Sequence, residues 1–364
     1  MKKRLVICLV VIFILILIGI VTCLFARSWY YQNLEPVNSV ENGESIEVEI
    51  EKGTVKIKIA EILENKKIIK NAMAFNIYLK FNNINNLQAG KYVFNNGKDD
   101  VKKIVEKMSK GEVKDDSVTI TLIEGKKITD YAKIISEKTN HNMEEIFNLL
   151  NNEEFINSII DKYWFITDEI KNEDIYYPLE GYLKPDTYIF ENKDVSLEYI
   201  FNSILNYTDK FLSNYKEKIE NSSFSVHEIL TFASVVEKES YKNEDMSGVA
   251  GVFYNRLNNK MSLGSDVTTY YAFQVELSES DLTSTQINSY NPYNTRGPNM
   301  NGKLPVGPIC SPSKFAIEAV LNPENSDNFY FVSDKNGNTY FTKNYNEHTK
   351  LVKKLKDEGL WFTY

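Results

Sequence analysis

Hydrophobic and polar positions along the chain fall into three regimes. The first is a continuous apolar run from Leu5 to Ala26, interrupted only by Thr22 and with Gly19 neutral. Lys2, Lys3 and Arg4 precede it and Arg27 closes it. Its 22 residues, at about 1.5 Å rise each, match the roughly 30 Å hydrocarbon core of a bilayer. A cleavable signal peptide has a shorter apolar core, about 7–15 residues, and a small-residue exit site. Cys23-Leu24-Phe25-Ala26-Arg27 is a poor exit. The run is therefore read as an uncleaved anchor, with a signal peptide as the alternative. The basic bias places the N-terminus in the cytoplasm and everything from about Ser28 onward outside it. Trp29, Tyr30 and Tyr31 stand where an interfacial aromatic belt belongs.

The second regime begins after a polar, Pro-containing stretch (32–45) that reads as a linker. Ile46, Val48 and Ile50 alternate with Glu47 and Glu49, the period of a half-buried strand. Val55 to Ile59 alternates too, as a second strand or a helix start, across Lys52-Gly53-Thr54. The pattern then predicts a helix over 73–82, a turn and strand over 87–94, and a helix over 101–108. The last has apolar residues at 101, 104, 105 and 108, with Gly111 as a left-handed cap. This small α+β unit closes near Val113.

In the third regime a strand is predicted over 118–123. Thr129-Asp130 caps a helix from Tyr131, and 146–160 reads as one helix. Residues 179–188, Leu-Glu-Gly-Tyr-Leu-Lys-Pro-Asp-Thr-Tyr, read as an ordered loop. Helices are expected over about 196–219, 226–240 and 245–257. Ser225 and Glu228 form a capping box for the second of these. Phe329–Ser333 and Thr339–Thr342 flank Lys335-Asn336-Gly337-Asn338, a hairpin with an Asn-Gly turn. A helix over 345–357 closes the chain.

Composition narrows the function classes. The chain has 364 residues, with 43% hydrophobic and 25% charged positions, as folded domains do. The formal charge is −8; outside residues 1–27 there remain 38 basic against 50 acidic residues, a charge of −12. Such a surface argues against nucleic acid as a partner and leaves a polysaccharide open. Cys8, Cys23 and Cys310 cannot build a disulfide framework, and three His are too few for a His-rich metal centre. There is no metal-ligand spacing, phosphate-binding glycine loop or GxSxG elbow. His348 reads as a surface helix residue and His227 as part of a cap.

The strongest candidate chemistry lies on the 226–240 helix. With Phe232 at zero, Ile229, Val235 and Val236 fall within about 60° of it, Glu239 at about −20° and Glu237 at about 140°. A carboxyl on an apolar face loses solvation and its pKa rises, as a general acid requires. On spacing alone a second reading stands, in which Glu239 is a helix-end residue reaching water. Downstream, Gly248 and Gly251 permit close helix packing. Ser265, Asp266 and Thr268, with Tyr293, Asn294 and Thr295 and the loop 304–309, offer groups that bind sugars or simply make turns.

The ordered series 179–188, Ala-Ser-Val-Val-Glu-Lys-Glu-Ser (233–240), Val-Phe-Tyr-Asn-Arg-Leu (252–257), Ser-Asp-Val-Thr (265–268), Tyr-Asn-Thr (293–295) and Leu-Pro-Val-Gly-Pro-Ile (304–309) resembles the MltG/YceG-like endolytic murein transglycosylases. The departures are Lys184, at an often aromatic position, and Gly264, where Gln is common. The resemblance implies an α+β protein with three parts. These are a single-pass anchor (1–27) with a linker (28–45), a small LysM-like subdomain (46–116), and a larger, mainly helical, lysozyme/transglycosylase-like catalytic domain with a β-hairpin (117–364). It implies cleavage of the MurNAc–GlcNAc β-1,4 bond in nascent glycan strands, with 1,6-anhydro-MurNAc ends, no metal and no cofactor, and termination of strand elongation. It also implies association with peptidoglycan synthases. In that family the catalytic Glu precedes Ser or Thr, which selects Glu239 over Glu237. Ser240, Asn255, Ser265, Asp266, Thr268, Tyr293, Asn294 and Thr295 become the expected substrate-binding set. A non-catalytic, membrane-anchored wall-binding or scaffold protein is the alternative.

Overall fold

The computed structural model describes residues 2–38, 40–114, 116–276 and 280–361. The chain divides into two compact units, residues 1–115 and 116–364. The first opens with α1 (Lys2–Leu34), of which Leu9–Leu34 is long and apolar enough to cross a membrane. The helix overruns the expected start of the linker, because nothing between Arg27 and Leu34 breaks it. Pro36 disfavours helical geometry at Glu35, and α1 stops just before.

Beyond α1 come β1 (Ser45–Ile50), α2 (Lys56–Asn65), α3 (Ala72–Phe81), β2 (Gly90–Asn95) and α4 (Val101–Lys110). The strands pair antiparallel, from Ser45 opposite Asn95 to Ile50 opposite Gly90. Val48, Ile50, Tyr92 and Phe94 therefore face one core with Leu63, Phe75, Ile104 and Met108. Residues 55–59 resolve as the start of a helix, not as a second strand. Val55 and Ile57 stay exposed while Ile59, Ala60 and Leu63 line the core, so packing on the sheet settled a pattern that spacing left open. Gly111 caps α4 at φ 68°, where a side chain would be strained.

The second unit contains β3 (Val118–Thr121), α5 (Ile128–Lys138), α6 (Met143–Leu150), α7 (Glu153–Lys162), β4 (Thr187–Phe190), α8 (Leu197–Leu212) and α9 (Lys216–Glu220). It continues with α10 (Val226–Glu239), α11 (Met246–Asn258), α12 (Asp266–Ala272), α13 (Ser284–Ile287) and α14 (Lys314–Leu321). It ends in β5 (Tyr330–Ser333), β6 (Thr339–Thr342) and α15 (Tyr345–Asp357). The fold is mixed α+β and mostly helical, with three two-stranded antiparallel sheets among the described residues.

Several local expectations change. The helix expected over about 196–219 divides into α8 and α9 around Ser213–Tyr215, and the loop expected over 179–188 enters β4 at Thr187. The helix expected over 146–160 is two helices, because Asn152 caps α7 by accepting the Phe155 N–H at 2.8 Å. α5 begins before Thr129-Asp130, with Asp130 reaching back to accept the Lys127 N–H at 3.1 Å. The Ser225–Glu228 capping box and the hairpin form where the sequence places them.

α10 is the axis of this unit. Every residue from Ile229 to Val236 is buried, and α11, α12 and α14 pack around it. Its polar members are satisfied internally: Thr231 donates to the His227 carbonyl at 2.8 Å, and Ser234 to the Thr231 carbonyl at 2.7 Å. His227 belongs to the core. Its Nε2 faces the Val306 carbonyl at 2.9 Å, an acceptor that requires a hydrogen on Nε2, and its Nδ1 faces the Tyr182 hydroxyl at 2.7 Å. His348, expected at the surface, is half-buried with its ring 5.4 Å from that of Tyr330. Burial, its largest cause, and the Arg256 charge push its pKa down.

The small residues of α11 serve close contacts, though not with a helix. A Cβ on Gly248 would lie 2.5 Å from the Phe341 ring, and one on Gly251 would lie 2.4 Å from the Glu324 carbonyl oxygen. The second neighbour is backbone and cannot rotate away. Gly251→Ala should cost about 1–3 kcal/mol and lower the thermal midpoint by several degrees, read by circular dichroism, with a wild-type midpoint removing this constraint.

Glu180 is the other buried constraint, 1% exposed. One oxygen accepts the Ile128 N–H at 3.0 Å and the other the Tyr271 hydroxyl at 3.2 Å. Burial pushes its carboxyl up to about 8. The native state thus keeps a proton that the unfolded chain releases at ordinary carboxylate pKa, so this stability is present at low pH and fades as pH rises toward 8. Glu180→Gln should flatten the fall in urea midpoint between about pH 5 and 8, a slope of up to about 1.4 kcal/mol per pH unit for one proton. An equally steep fall in the variant would refute the assignment.

Candidate active site

Glu239 is the last residue of α10, and Ser240 breaks out of the helix in extended geometry. The buried body of the helix delivers this side chain to the edge of the core, where the residue is half-buried. Glu239 Oε1 accepts the Ser265 hydroxyl at 2.5 Å. Its pKa is raised. Burial is the largest cause; Asp266 adds to it, while the Ser265 hydrogen bond and the charges of Arg256 and Arg296 oppose it. A carboxyl in this setting holds its proton at higher pH than an exposed one and still has a donor ready for its anion.

Glu237 has a different task. Its Oε2 accepts the Ser313 N–H at 3.0 Å, at the residue that caps α14. The two carboxylates of the motif are thus separated in function: one fixes a helix start, the other meets the Ser265 loop.

Ser265 is itself locked in place. Its N–H donates to Thr295 Oγ1 at 3.1 Å, and its carbonyl accepts the Thr268 hydroxyl at 2.7 Å. Thr268 and Thr295 hydroxyls lie 2.8 Å apart, and the Thr295 N–H donates to Thr268 Oγ1 at 3.1 Å. Asn294 accepts from the Thr269 hydroxyl at 2.7 Å and from the Arg296 N–H at 3.1 Å, and donates to the Ser289 carbonyl at 2.8 Å. This ring ties the start of α12 to the 293–297 loop.

The expected substrate-binding residues therefore divide. Ser265 and Asp266 stand beside Glu239, Asp266 exposed and ion-paired with Arg296. Thr268, Asn294 and Thr295 are fully buried and bond only to protein, which places them behind Ser265 and out of reach of a ligand in this conformation. Tyr293 is buried too, its ring 4.8 Å from Tyr176 and 4.9 Å from Tyr271. Asn255 gives its amide hydrogens to the Ser326 and Asn328 carbonyls at 2.8 and 2.9 Å, and so holds the segment before the hairpin. Next to Glu239 in the chain, Ser240 keeps a buried hydroxyl with no hydrogen-bond partner among the described residues.

Arg256 and Arg296 carry weight that the spacing did not reveal. Arg256 donates through Nε to the Phe329 carbonyl at 2.7 Å and through Nη1 to the Leu263 carbonyl at 2.5 Å, with its guanidinium 5.1 Å from the Tyr330 ring centre. It braces the approach to Ser265 against the hairpin. The available signal was a pair of arginines embedded in motifs of otherwise small and apolar residues.

Among the described residues no group of three His, Cys, Asp or Glu side chains converges as a metal-ligand set. An open 520 Å³ cavity lined by Glu169, His227, Lys303 and Pro305 lies elsewhere in this unit, and Glu239 does not line it.

Known proteins with the same pattern supply the remaining evidence. The chain is 34% identical to the endolytic murein transglycosylase of Bacillus subtilis over 88% of its length and 87% of that protein's. It is 32% identical to the endolytic murein transglycosylase of Streptococcus pneumoniae D39 over 90% of its length, spanning 61% of that longer protein. The crystal structure of a yceG-like protein from Listeria monocytogenes matches with a TM-score of 0.60 and 36% identity, covering 85% of this chain and all of that one. The profile of the YceG-like family matches residues 48–354, and with relatives this similar over most of its length the chain belongs to that family.

Proposed function

We propose that this protein is an endolytic murein transglycosylase, a lyase that cuts peptidoglycan strands with Glu239 as its acid and base. The observation that carries the site assignment is the geometry of Glu239: a desolvated carboxyl at the end of a buried helix, facing a fixed hydroxyl donor. The buried helix ending in Glu-Ser supports reading the larger unit as lysozyme-like.

Ordinary glycosidases need two carboxylates. The reaction proposed here needs one. Protonated Glu239 gives its proton to the glycosidic oxygen as the bond from MurNAc C1 to that oxygen breaks. The muramyl N-acetyl group supports the positive charge that develops at C1. Glu239, now anionic and stabilised by Ser265, removes the proton from the C6 hydroxyl, and O6 closes on C1. The 1,6-anhydro ring forms, Glu239 regains its proton, and no water is consumed. An internal bond of a long polymer reaches such a carboxyl along an open surface, in keeping with a half-buried Glu239 at the edge of the core.

The small unit fits a LysM-like reading, with strand, two helices and strand in order and the strands antiparallel. Thr54, Val55, Lys56, Ile57, Asn85 and Leu87 line an open hollow on it, a mixture of apolar and amide groups suited to a sugar face. α1 anchors the chain with its N-terminus cytoplasmic and both units outside. There the enzyme meets strands still being made beside their synthases, and cutting them ends elongation.

Glu239→Gln should abolish release of anhydro-ended fragments from un-crosslinked glycan, with the circular dichroism spectrum and thermal midpoint unchanged. Undiminished release would remove Glu239 from the chemistry. Release of reducing ends by the wild-type protein would instead replace ring closure by hydrolysis, and no product at all would favour the scaffold reading.

The pH profile tests the Ser265 contact. The acid step needs the protonated form, so activity falls as pH rises through the Glu239 pKa. The Ser265 hydrogen bond lowers that pKa, so Ser265→Ala should move the alkaline limb to higher pH and reduce the plateau rate about tenfold or more. A limb that stays in place or moves down would contradict the role given to Ser265.

A further inference from the structure

The small unit is seated on the last turns of α1 through named contacts. The Tyr30 ring meets the Phe81 ring edge-to-face at 6.2 Å, Lys70 Nζ donates to the Gln32 carbonyl at 3.2 Å, and Leu34 packs against the core of the unit. α1 is unbroken from Lys2 to Leu34, so these contacts fix the height of the unit along the membrane-spanning helix.

That height can be estimated. The apolar run ends at Ala26, and Arg27 marks the edge of the hydrocarbon. Tyr30 is four residues further on, about 6 Å along the axis, within a headgroup layer roughly 5–8 Å thick on each side. Helical side chains lean toward the N-terminus of their helix, here toward the membrane. Phe81, in ring contact with Tyr30, is thereby brought to headgroup level. Phe81 is 75% exposed, and Trp29 and Tyr31 beside it on α1 are 40% and 55% exposed. The segment 65–98 has six lysines, Lys80 and Lys70 among them, and no Asp or Glu, in a chain of net charge −8. Asp100, which caps α4, and Glu106 within it approach Tyr78 on the same helix as Phe81, so the charge at this site is mixed, and it is height and the exposed rings that favour the membrane.

We propose that the small unit rests on the bilayer surface from which α1 emerges, with Phe81 and the α1 aromatics in the lipid headgroup layer and Lys80 toward the phosphates. The partner is the membrane itself, and the inference rests on α1 being a membrane span. Aromatic rings and lysine stems are the side chains that favour this layer. The contact makes the exposed end of α3 a second foothold, and the unit is held at a set distance from the membrane plane.

The test uses the full-length chain in nanodiscs of phosphatidylethanolamine and phosphatidylglycerol, with Cys8 and Cys23 replaced by Ala and the buried Cys310 kept. Single NBD labels are placed at Phe81→Cys, at Asn82→Cys, which retains Phe81, and at Ile14→Cys within the span. Lipids carry a nitroxide at the headgroup or in mid-chain. The proposal expects headgroup nitroxide to remove about half of the emission at positions 81 and 82, and mid-chain nitroxide to act mainly at position 14. Adding Phe81→Asp to the Asn82→Cys variant should abolish the quenching at 82 while position 14 is unchanged. Quenching at 14 with none at 81 or 82 overturns the surface contact and leaves the anchor intact. Loss of quenching at 14 as well refutes the span on which the inference rests.

Discussion

A carboxyl withdrawn from water at the end of a buried helix is the constraint on which the rest of the second unit depends. Removing Glu239 from solvent disfavours its anion, and a fixed hydrogen-bond donor works in the opposite direction. Ser265 is that donor, at 2.5 Å. The balance needs a helix that does not move and a loop that does not drift. α10 meets the first condition by being buried from Ile229 to Val236. The hydroxyl and amide ring around Thr268, Asn294 and Thr295 meets the second. These residues are chemically suited to sugars, yet the structure uses them to hold the hydroxyl that faces the acid.

The same logic explains the two carboxylates of one motif. Glu237 and Glu239 are two residues apart, so on a helix they point about 160° from each other (two steps of about 100°, measured the short way round). One can therefore cap α14 while the other sits at the site. Arg256 joins the Leu263 carbonyl, the Phe329 carbonyl and the Tyr330 ring, which makes the hairpin part of the support for the segment leading to Ser265. The short range of hydrogen bonds makes such bracing necessary: a shift of a few tenths of an ångström in the loop would change the electrostatic setting of Glu239.

The first unit shows the same dependence of placement on a rigid helix. α1 continues past the apolar run and becomes part of the packing of the small unit through Leu34. An anchor that ended in a flexible linker at Arg27 would leave that unit free to swing. An unbroken helix carries its orientation into the folded domain, and the first Pro after the run sets where this stops.

Much of this was legible in the sequence because it is local. A capping box, an Asn-Gly turn, alternation in β1 and the spacing in α4 depend on residues no more than four apart, and these formed as read. The opposite facing of Glu237 and Glu239 was legible too, since it needs only helical periodicity. The break at Asn152 has a local signature as well, an Asn followed by two Glu, which competes with the continuous apolar periodicity of 146–160. What no local pattern contained was the environment of Glu239. Ser265 lies 26 residues away and Thr295 lies 30 beyond Ser265, and their hydroxyls meet only because α10, α12 and the 293–297 loop pack together. The sequence alone determined which helix carries both carboxyls of the motif and that they point to different sides of it. The tertiary structure alone decided which polar groups face it and which are sealed behind it, because burial and hydrogen-bond pairing are properties of three-dimensional neighbours and leave no periodic trace along the chain.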